Sequence, residues 1–281
     1  MECIQEFYIH NKTIKKSIDF DEQVYVSGIS VYEIIRIEQA IPLFIEDHLL
    51  RIYNSAKLSG LKIIESDKEI ENKVRELIQI NKVNTGKIKI LIHFNSENSN
   101  LEKDLLIYFT SHYFPTLSEY RNGVQTGICK AVRTNPNAKI HNTLTRQKAN
   151  HIIAEKKLFE VILVDNEGYI TEGSRSNVFY ILGESIITPP MNDVLSGITR
   201  KNIQHICIQN KIPFIEKKIH FNDVTQFDAM FLSGTSLKVL PVRSFDEIKF
   251  EVNNNMLIRL LKFYNEHINS YIKRKKTSPA S

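Results

Sequence analysis

Glycine is scarce in this chain, with ten in 281 residues. Loops that cradle nucleotide phosphates need several glycines where backbone must approach the ligand closely. Neither Gly-x-Gly-x-x-Gly after a strand nor Gly-x-x-x-x-Gly-Lys-Ser/Thr occurs, and Gly86-Lys87 stands alone in what reads as a turn. No Gly-x-Ser-x-Gly elbow is present. No His-Glu-x-x-His occurs, and the nine histidines show no metal-ligand spacing, so no metal site is expected. These absences argue against a Walker NTPase, a serine hydrolase and a metal hydrolase. Only three cysteines occur, Cys3, Cys129 and Cys207, far apart and odd in number, which gives no disulfide framework. No run approaches eighteen apolar residues, and the start lacks a basic segment followed by an apolar one. The expectation is a cytoplasmic protein that does not engage a membrane, in which the Asn11-Lys12-Thr13 sequon carries no meaning.

What is present is enough for a large core. Hydrophobic residues make up 42% of the chain and charged residues 25%, which fits one large folded domain or two modest ones. The net charge of +5 is mild, and much of it sits in Lys273-Arg274-Lys275-Lys276 near the C-terminus. With no interleaved aromatics, that run reads as a solvated tail, and no nucleic-acid partner is expected.

Residues 6–14 and 31–37 read as strands, and 48–58 and 68–81 as helices by apolar spacing. Residues 87–94 alternate almost ideally, and 105–113 form a buried-looking strand. The polar stretch 95–103 between them is a hairpin loop. Pro115 breaks this pattern, which places a boundary at 115–122. The domain expectation is 1–115, a linker at 116–123, and a second domain over 124–281. In that second part 124–132, 161–164, 177–182, 186–188, 229–233 and 237–242 read as strands. Residues 199–210 and 253–272 read as helices, the latter with an apolar face from Met256 to Ile268.

Four segments carry chemistry. Lys139-Ile140-His141-Asn142-Thr143-Leu144 precedes a helical stretch. Some thirty residues on comes Glu172-Gly173-Ser174-Arg175-Ser176-Asn177-Val178-Phe179. Gly197-Ile198-Thr199-Arg200 opens a helix, and Ser233-Gly234-Thr235-Ser236 forms a turn. An amine nucleophile, a carboxylate and two turns rich in N–H donors are what a pyridoxal phosphate enzyme needs. A loop lysine or a turn glutamate alone is ordinarily a solvated residue. Gly197-Ile198-Thr199 alone is an ordinary helix start, and 233–236 an ordinary hairpin turn. Their joint order along one chain is the signal.

The pattern resembles the class IV pyridoxal phosphate enzymes: branched-chain amino acid aminotransferases, D-amino acid aminotransferases and 4-amino-4-deoxychorismate lyases. It extends from about residue 27 to 242. The resemblance implies an α/β (α+β) fold of two domains, fold type IV, with an N-terminal α/β sandwich and a C-terminal pseudo-barrel carrying the lysine. It implies pyridoxal 5'-phosphate as cofactor and a homodimer. Lys139 matches the Schiff-base lysine of the Lys-x-x-Asn-x-Leu pattern. Its neighbour Lys148 lies at helical spacing on a solvated face. Glu172 matches the carboxylate that holds the pyridine nitrogen, in the pattern Glu-Gly-x-x-x-Asn. Ile198, Thr199 and Thr235 fall at the phosphate. Arg51, in His48-Leu49-Leu50-Arg51, matches the arginine that clamps the phosphate. Tyr32 and Arg36 fall where the family lines its substrate pocket, and Ser236 near the substrate carboxylate.

The chain departs from both well-marked subgroups. Branched-chain transaminases carry tyrosines at the positions of Thr143 and Ser27. D-amino acid aminotransferases carry an Arg-x-His pair before Phe-Pro; here His112 is present but Thr110 replaces the arginine. The expected function is amino-group transfer between an amino acid, branched-chain ones among the candidates, and a 2-oxo acid. The alternative is lyase chemistry on 4-amino-4-deoxychorismate, releasing pyruvate. A non-catalytic relative is a third reading, opposed by the joint presence of Lys139, Glu172 and Arg51.

Overall fold

The computed structural model describes residues 2–21, 25, 28–95, 102–111, 113–132 and 143–277. Lys139, the expected cofactor lysine, lies outside the described residues, as do Ser27 and His112. The chain divides into two compact units. One holds the described residues up to Tyr113 and those from Ile268 onward; the other runs from Phe114 to His267.

The first unit is built on six strands: β1 (Phe7–His10), β2 (Thr13–Lys16), β3 (Ile29–Glu38), β4 (Ile41–Pro42), β5 (Thr85–Asn95) and β6 (Glu102–Phe109). Their order is β2-β1-β6-β5-β3-β4, with every pair antiparallel. Alternation along β3 and β5 sorts residues between two faces. Val31, Ile35, Ile37, Ile88, Ile90 and Ile92 are buried with Leu49 and Ile52 of α1 (Ile45–Leu58) and with Val74 and Leu77 of α2 (Asp67–Ile80). Ser66 and Glu69 close α2 with a reciprocal capping box.

The sequence pattern made residues 6–14 one strand; the structure makes them the hairpin β1–β2. Asn11, at φ 56°, starts the two-residue turn between the paired residues His10 and Thr13. Asparagine tolerates that left-handed conformation. The strand expected over 105–113 instead ends at Phe109, followed only by a single bridge from Thr110 to Cys3.

The second unit opens with α3 (Leu117–Asn122), within the stretch expected to be a linker. A capping box between Thr116 and Glu119 starts it, and the Tyr120 hydroxyl donates to the Leu237 carbonyl at 2.9 Å. Gly123 ends it at φ 66°, where a Cβ would stand 2.8 Å from the Arg243 nitrogen. Ten strands follow: β7 (Val124–Lys130), β8 (Glu160–Val164), β9 (Tyr169–Gly173), β10 (Asn177–Leu182), β11 (Ser185–Thr188), β12 (Phe214–Glu216), β13 (Ile219–His220), β14 (Ala229–Gly234), β15 (Lys238–Phe245) and β16 (Ile248–Lys249). The sheet runs β12-β11-β10-β14-β15-β7-β8-β9-β13, with β16 on β15. The pairs β11–β12, β15–β7 and β7–β8 are parallel and the rest antiparallel. Val178, Tyr180, Met230 and Leu232 fill the core on one face. Phe179 and Phe231 stack with ring centroids 4.8 Å apart. Three helices complete the unit: α4 (Thr143–Lys156), α5 (Ile198–Gln209) and most of α6 (Asn255–Thr277). The last turns of α6 count with the first unit, where the Tyr271 hydroxyl donates to Glu46 Oε2 at 2.8 Å. Among the described residues no helix is long and apolar enough to cross a membrane.

Candidate active site

Three of the four segments with candidate chemistry meet at one end of the second unit's sheet. Glu172 lies on β9 and is buried, and its Oε2 accepts from the Leu195 amide at 3.1 Å. The Leu195 carbonyl accepts from Asn177 Nδ2 at 3.0 Å. Two residues on, Gly197 precedes α5, and a Cβ there would overlap Asn177 Oδ1. The glycine therefore lets the start of α5 close on the first residue of β10. Asn177 in turn pairs with Ser233 across the ladder, and opposite residues project to the same face. Past Ser233, residues Thr235-Ser236-Leu237 make the turn between β14 and β15 and are half-buried.

This end of the sheet is polar and dry. Thr199 and Ile198 are both buried in the first turn of α5. No side chain caps that helix and no acid stands in its first turn, so its dipole has no counter-charge there from its own residues. Ser233 is fully buried, and its hydroxyl has no hydrogen-bond partner among the described residues. A buried hydroxyl in that state is costly unless something else meets it.

Arg200, in the same turn, is fully buried. Its Nη1 donates to Thr188 Oγ1 at 3.2 Å, and Nη2 lies 3.0 Å from Glu216 Oε1. Burial pulls its pKa down, while Glu216 and then Glu172 push it back up. Its charge thus acts on the end of the sheet where Glu172 stands.

The remaining predicted residues belong to the first unit. Arg51, on α1, donates through Nε to Glu33 Oε1 and through Nη2 to Glu33 Oε2, each at 2.6 Å. His48 Nδ1 reaches Glu33 Oε2 at 2.6 Å, and all three side chains are buried. Glu33 thus faces the helices, whereas Tyr32 and Arg36 project from the opposite face of β3. On that second face Lys89 Nζ sits 5.4 Å from the centre of the Tyr32 ring and 5.6 Å from that of Tyr108. It donates to Glu2 Oε1 at 2.7 Å, and the Tyr108 hydroxyl donates to Glu2 Oε2 at 2.7 Å. Arg36 Nε donates to Glu38 at 3.1 Å. The structure therefore separates Arg51 from Tyr32 and Arg36 by the thickness of one strand.

The Glu33 network sets an expected result. Arg51→Ala removes the guanidinium from a fully buried carboxylate, and breaking a buried pair in this way costs about 3–5 kcal/mol. The denaturant midpoint of the cofactor-free protein should fall accordingly. Arg51→Lys, which keeps charge but not the two-pronged contact, should fall in between. An unchanged midpoint in Arg51→Ala would show that the pair does not hold α1 to β3.

Sequence reasoning missed Glu160. It stands at the head of β8, buried, under the turn that joins β9 to β10. An acid opening an otherwise apolar strand, Glu160-Val161-Ile162-Leu163-Val164, was the available signal. Lys148, the rival to Lys139, donates to the Lys130 carbonyl at 2.6 Å on the exposed side of α4. Among the described residues no group of three or more His, Cys, Asp or Glu is placed to hold a metal ion.

Known proteins share this architecture. The chain is 28% identical to the D-alanine aminotransferase of Bacillus licheniformis over 241 residues, covering 82% of this chain and 83% of the relative. It is 28% identical to the branched-chain-amino-acid aminotransferase of Pseudomonas aeruginosa over 237 residues, 78% of this chain and 76% of that one. The crystal structure of a T.th. branched-chain amino acid aminotransferase with pyridoxamine 5'-phosphate superposes with a TM-score of 0.85. That match has 21% identity and covers 96% of both chains. A profile of the class IV amino-transferases matches residues 30–245, and the chain belongs to that family.

Proposed function

We propose that the chain transfers an amino group between an amino acid and a 2-oxo acid, with pyridoxal 5'-phosphate as cofactor and Lys139 as its anchoring amine. The observation that carries this reading is Glu172. It is a buried carboxylate, fixed by the Leu195 amide, on the strand beside the uncapped start of α5.

The residues present fit a phosphorylated pyridine. A phosphate at the head of α5 would be held by the backbone amides of Ile198 and Thr199, the Thr199 and Thr235 hydroxyls, and the positive end of the α5 dipole. It also gives the buried Ser233 hydroxyl an acceptor. Arg51 is the guanidinium proposed for the phosphate clamp. Glu172 would hold a proton on the ring nitrogen by its negative charge.

When bound, the cofactor supplies an aldehyde that takes up the amino group and a ring that accepts electrons. The chain's own residues supply the rest. Lys139, as a free amine, would take the proton from the substrate α-carbon and deliver it to the cofactor's aldehyde carbon. Tyr32 and Arg36 line the substrate side, and Ser236 faces the substrate carboxylate. A homodimer in the cytoplasm completes the reading.

Both D-alanine and branched-chain relatives match at 28%, so identity does not choose between their substrates. Product analysis tests the reaction: D-alanine, L-leucine and L-valine are each supplied with 2-oxoglutarate. Glutamate formed from one of them supports transfer. Pyruvate released from 4-amino-4-deoxychorismate without any acceptor would replace transfer by lyase chemistry. A second test reduces the protein with borohydride and maps peptides. The pyridoxyl adduct should fall on Lys139; an adduct on Lys148 or Lys238 would sink the lysine assignment.

A further inference from the structure

Glu160 is 2% exposed, at the head of β8, with no basic side chain among its hydrogen-bond partners. Its carboxylate is instead surrounded by one short turn. The Arg175 amide and the Ser174 hydroxyl donate to Oε1, the latter at 3.2 Å, and the Ser176 hydroxyl donates to Oε2 at 3.0 Å. Residues 174–176 are the whole connection between β9 and β10. Glu172 and Asn177, which lie at its two ends, are therefore fixed relative to each other by what holds this turn.

Gly173 shows how close the carboxylate comes. A Cβ there would stand 3.0 Å from Glu160 Oε1 and 3.2 Å from its carboxyl carbon, and would overlap Ser176 Oγ. Glu160 therefore lies on the side of β9 to which residue 173 would project. Glu172, the preceding residue, projects to the other side, where Leu195 meets it. The two acids act on opposite faces of one strand. The turn has a second tie: Arg175 Nη2 donates to Asn150 Oδ1 at 2.6 Å, on α4. That helix directly follows, in sequence, the segment that carries Lys139.

We propose that Glu160 is a positioning residue: from behind β9 its carboxyl templates the 174–176 turn, and through that turn it aims Glu172 at the ring nitrogen of a bound pyridine cofactor. This role rests on the reading of Glu172 given above. Three donors converging on two oxygens define the turn in a way that no single hydrogen bond does, and a buried donor left unmet destabilises whatever conformation leaves it so.

Burial also pushes the Glu160 carboxyl upward in pKa, and the Arg175 amide and the Ser176 hydroxyl only partly oppose this. An acid raised in the folded state contributes stability that is complete below its unfolded value, about 4.3, and lost as pH rises through its folded value. Glu160→Gln has no such titration. Its stability relative to the natural protein should therefore rise with pH across that window, in cofactor-free protein as well.

The positioning role is tested on cofactor uptake. Cofactor-free protein and its Glu160→Ala, Glu160→Gln and Ser176→Ala variants are titrated with pyridoxal phosphate, and the absorbance of the bound form is followed against pH. Glu160→Ala should bind roughly tenfold more weakly, the scale of buried donors left unmet. It should also shift the pH midpoint of the bound absorbance, because a displaced Glu172 no longer controls the ring nitrogen. Glu160→Gln, which keeps one acceptor oxygen for the Arg175 amide while the serine hydroxyls reorient, should restore both properties to within about threefold. If Glu160→Ala does not fold, Ser176→Ala carries the same prediction at about threefold. A loss of stability alone moves no midpoint in folded protein. A Glu160→Ala or Ser176→Ala protein with the natural affinity and midpoint overturns the role. So does Glu160→Gln if it is as impaired as alanine, since charge rather than shape would then be at issue. If the natural protein itself takes up no pyridoxal phosphate, the functional reading falls, and this role falls with it.

Discussion

Lys139→Ala should no longer hold pyridoxal phosphate covalently, and amino-group transfer should fall on the order of 10²–10⁴-fold or further. That is the range associated with removing a positioned acid–base group, before any loss of the covalent link is counted. Borohydride treatment of the variant should leave no pyridoxyl peptide, while the cofactor still binds through the phosphate donors at the head of α5. Added small amines should recover part of the transfer, since a diffusible base can carry the α-proton. Lys148→Ala is the matched control. Its amine lies on an exposed helix face, donating to the Lys130 carbonyl at 2.6 Å, so its adduct and turnover should be those of the natural protein. An adduct that survives in Lys139→Ala would mean that the motif around residue 139 had been assigned to the wrong lysine.

How much of this was legible beforehand differs from residue to residue. The strand β5 was legible because one face is apolar at every second position and the other mostly is not, and β6 because residues 105–109 form a continuous apolar run, buried on both faces. The start of α5 was legible because it rests on local order, a Gly-Ile-Thr that opens a helix. The β1–β2 hairpin was missed because a single asparagine makes the turn, without the glycine that usually marks one. The Glu33–Arg51 pair was half legible. Arg51 stood out as a candidate, but nothing local showed that Glu33 would sit on the buried face of β3 opposite an arginine 18 positions on. For Glu160 the one signal was an acid heading an apolar strand, and nothing in it pointed to its role. Its partners are one backbone amide and two serines from a turn 14 to 16 residues later, and such a cluster leaves no periodic trace. The end of α6 belongs with the first unit for a similar reason: Tyr271 reaches Glu46 across 225 residues.

Glu172→Gln tests mechanism where Lys139→Ala tests attachment. The amide keeps the shape of the carboxylate, and its oxygen can still accept from the Leu195 amide, which holds Glu172 Oε2 at 3.1 Å in the natural protein. The turn over Glu160 is untouched. Cofactor uptake and the borohydride-stable adduct on Lys139 should therefore persist. What disappears, on the proposed reading, is the negative charge that would keep a proton on the ring nitrogen. The electrons left when the α-proton departs then flow toward a neutral nitrogen, and removal of that proton should slow on the order of a hundredfold or more. The measurement is single-turnover proton loss from an amino acid deuterated at the α-carbon, where an enlarged isotope effect marks that step as limiting. Turnover near that of the natural protein, with no change in isotope effect, would show that another group holds the ring nitrogen. Glu172 would then be a structural acid that fixes Leu195 and, through it, the entry to α5.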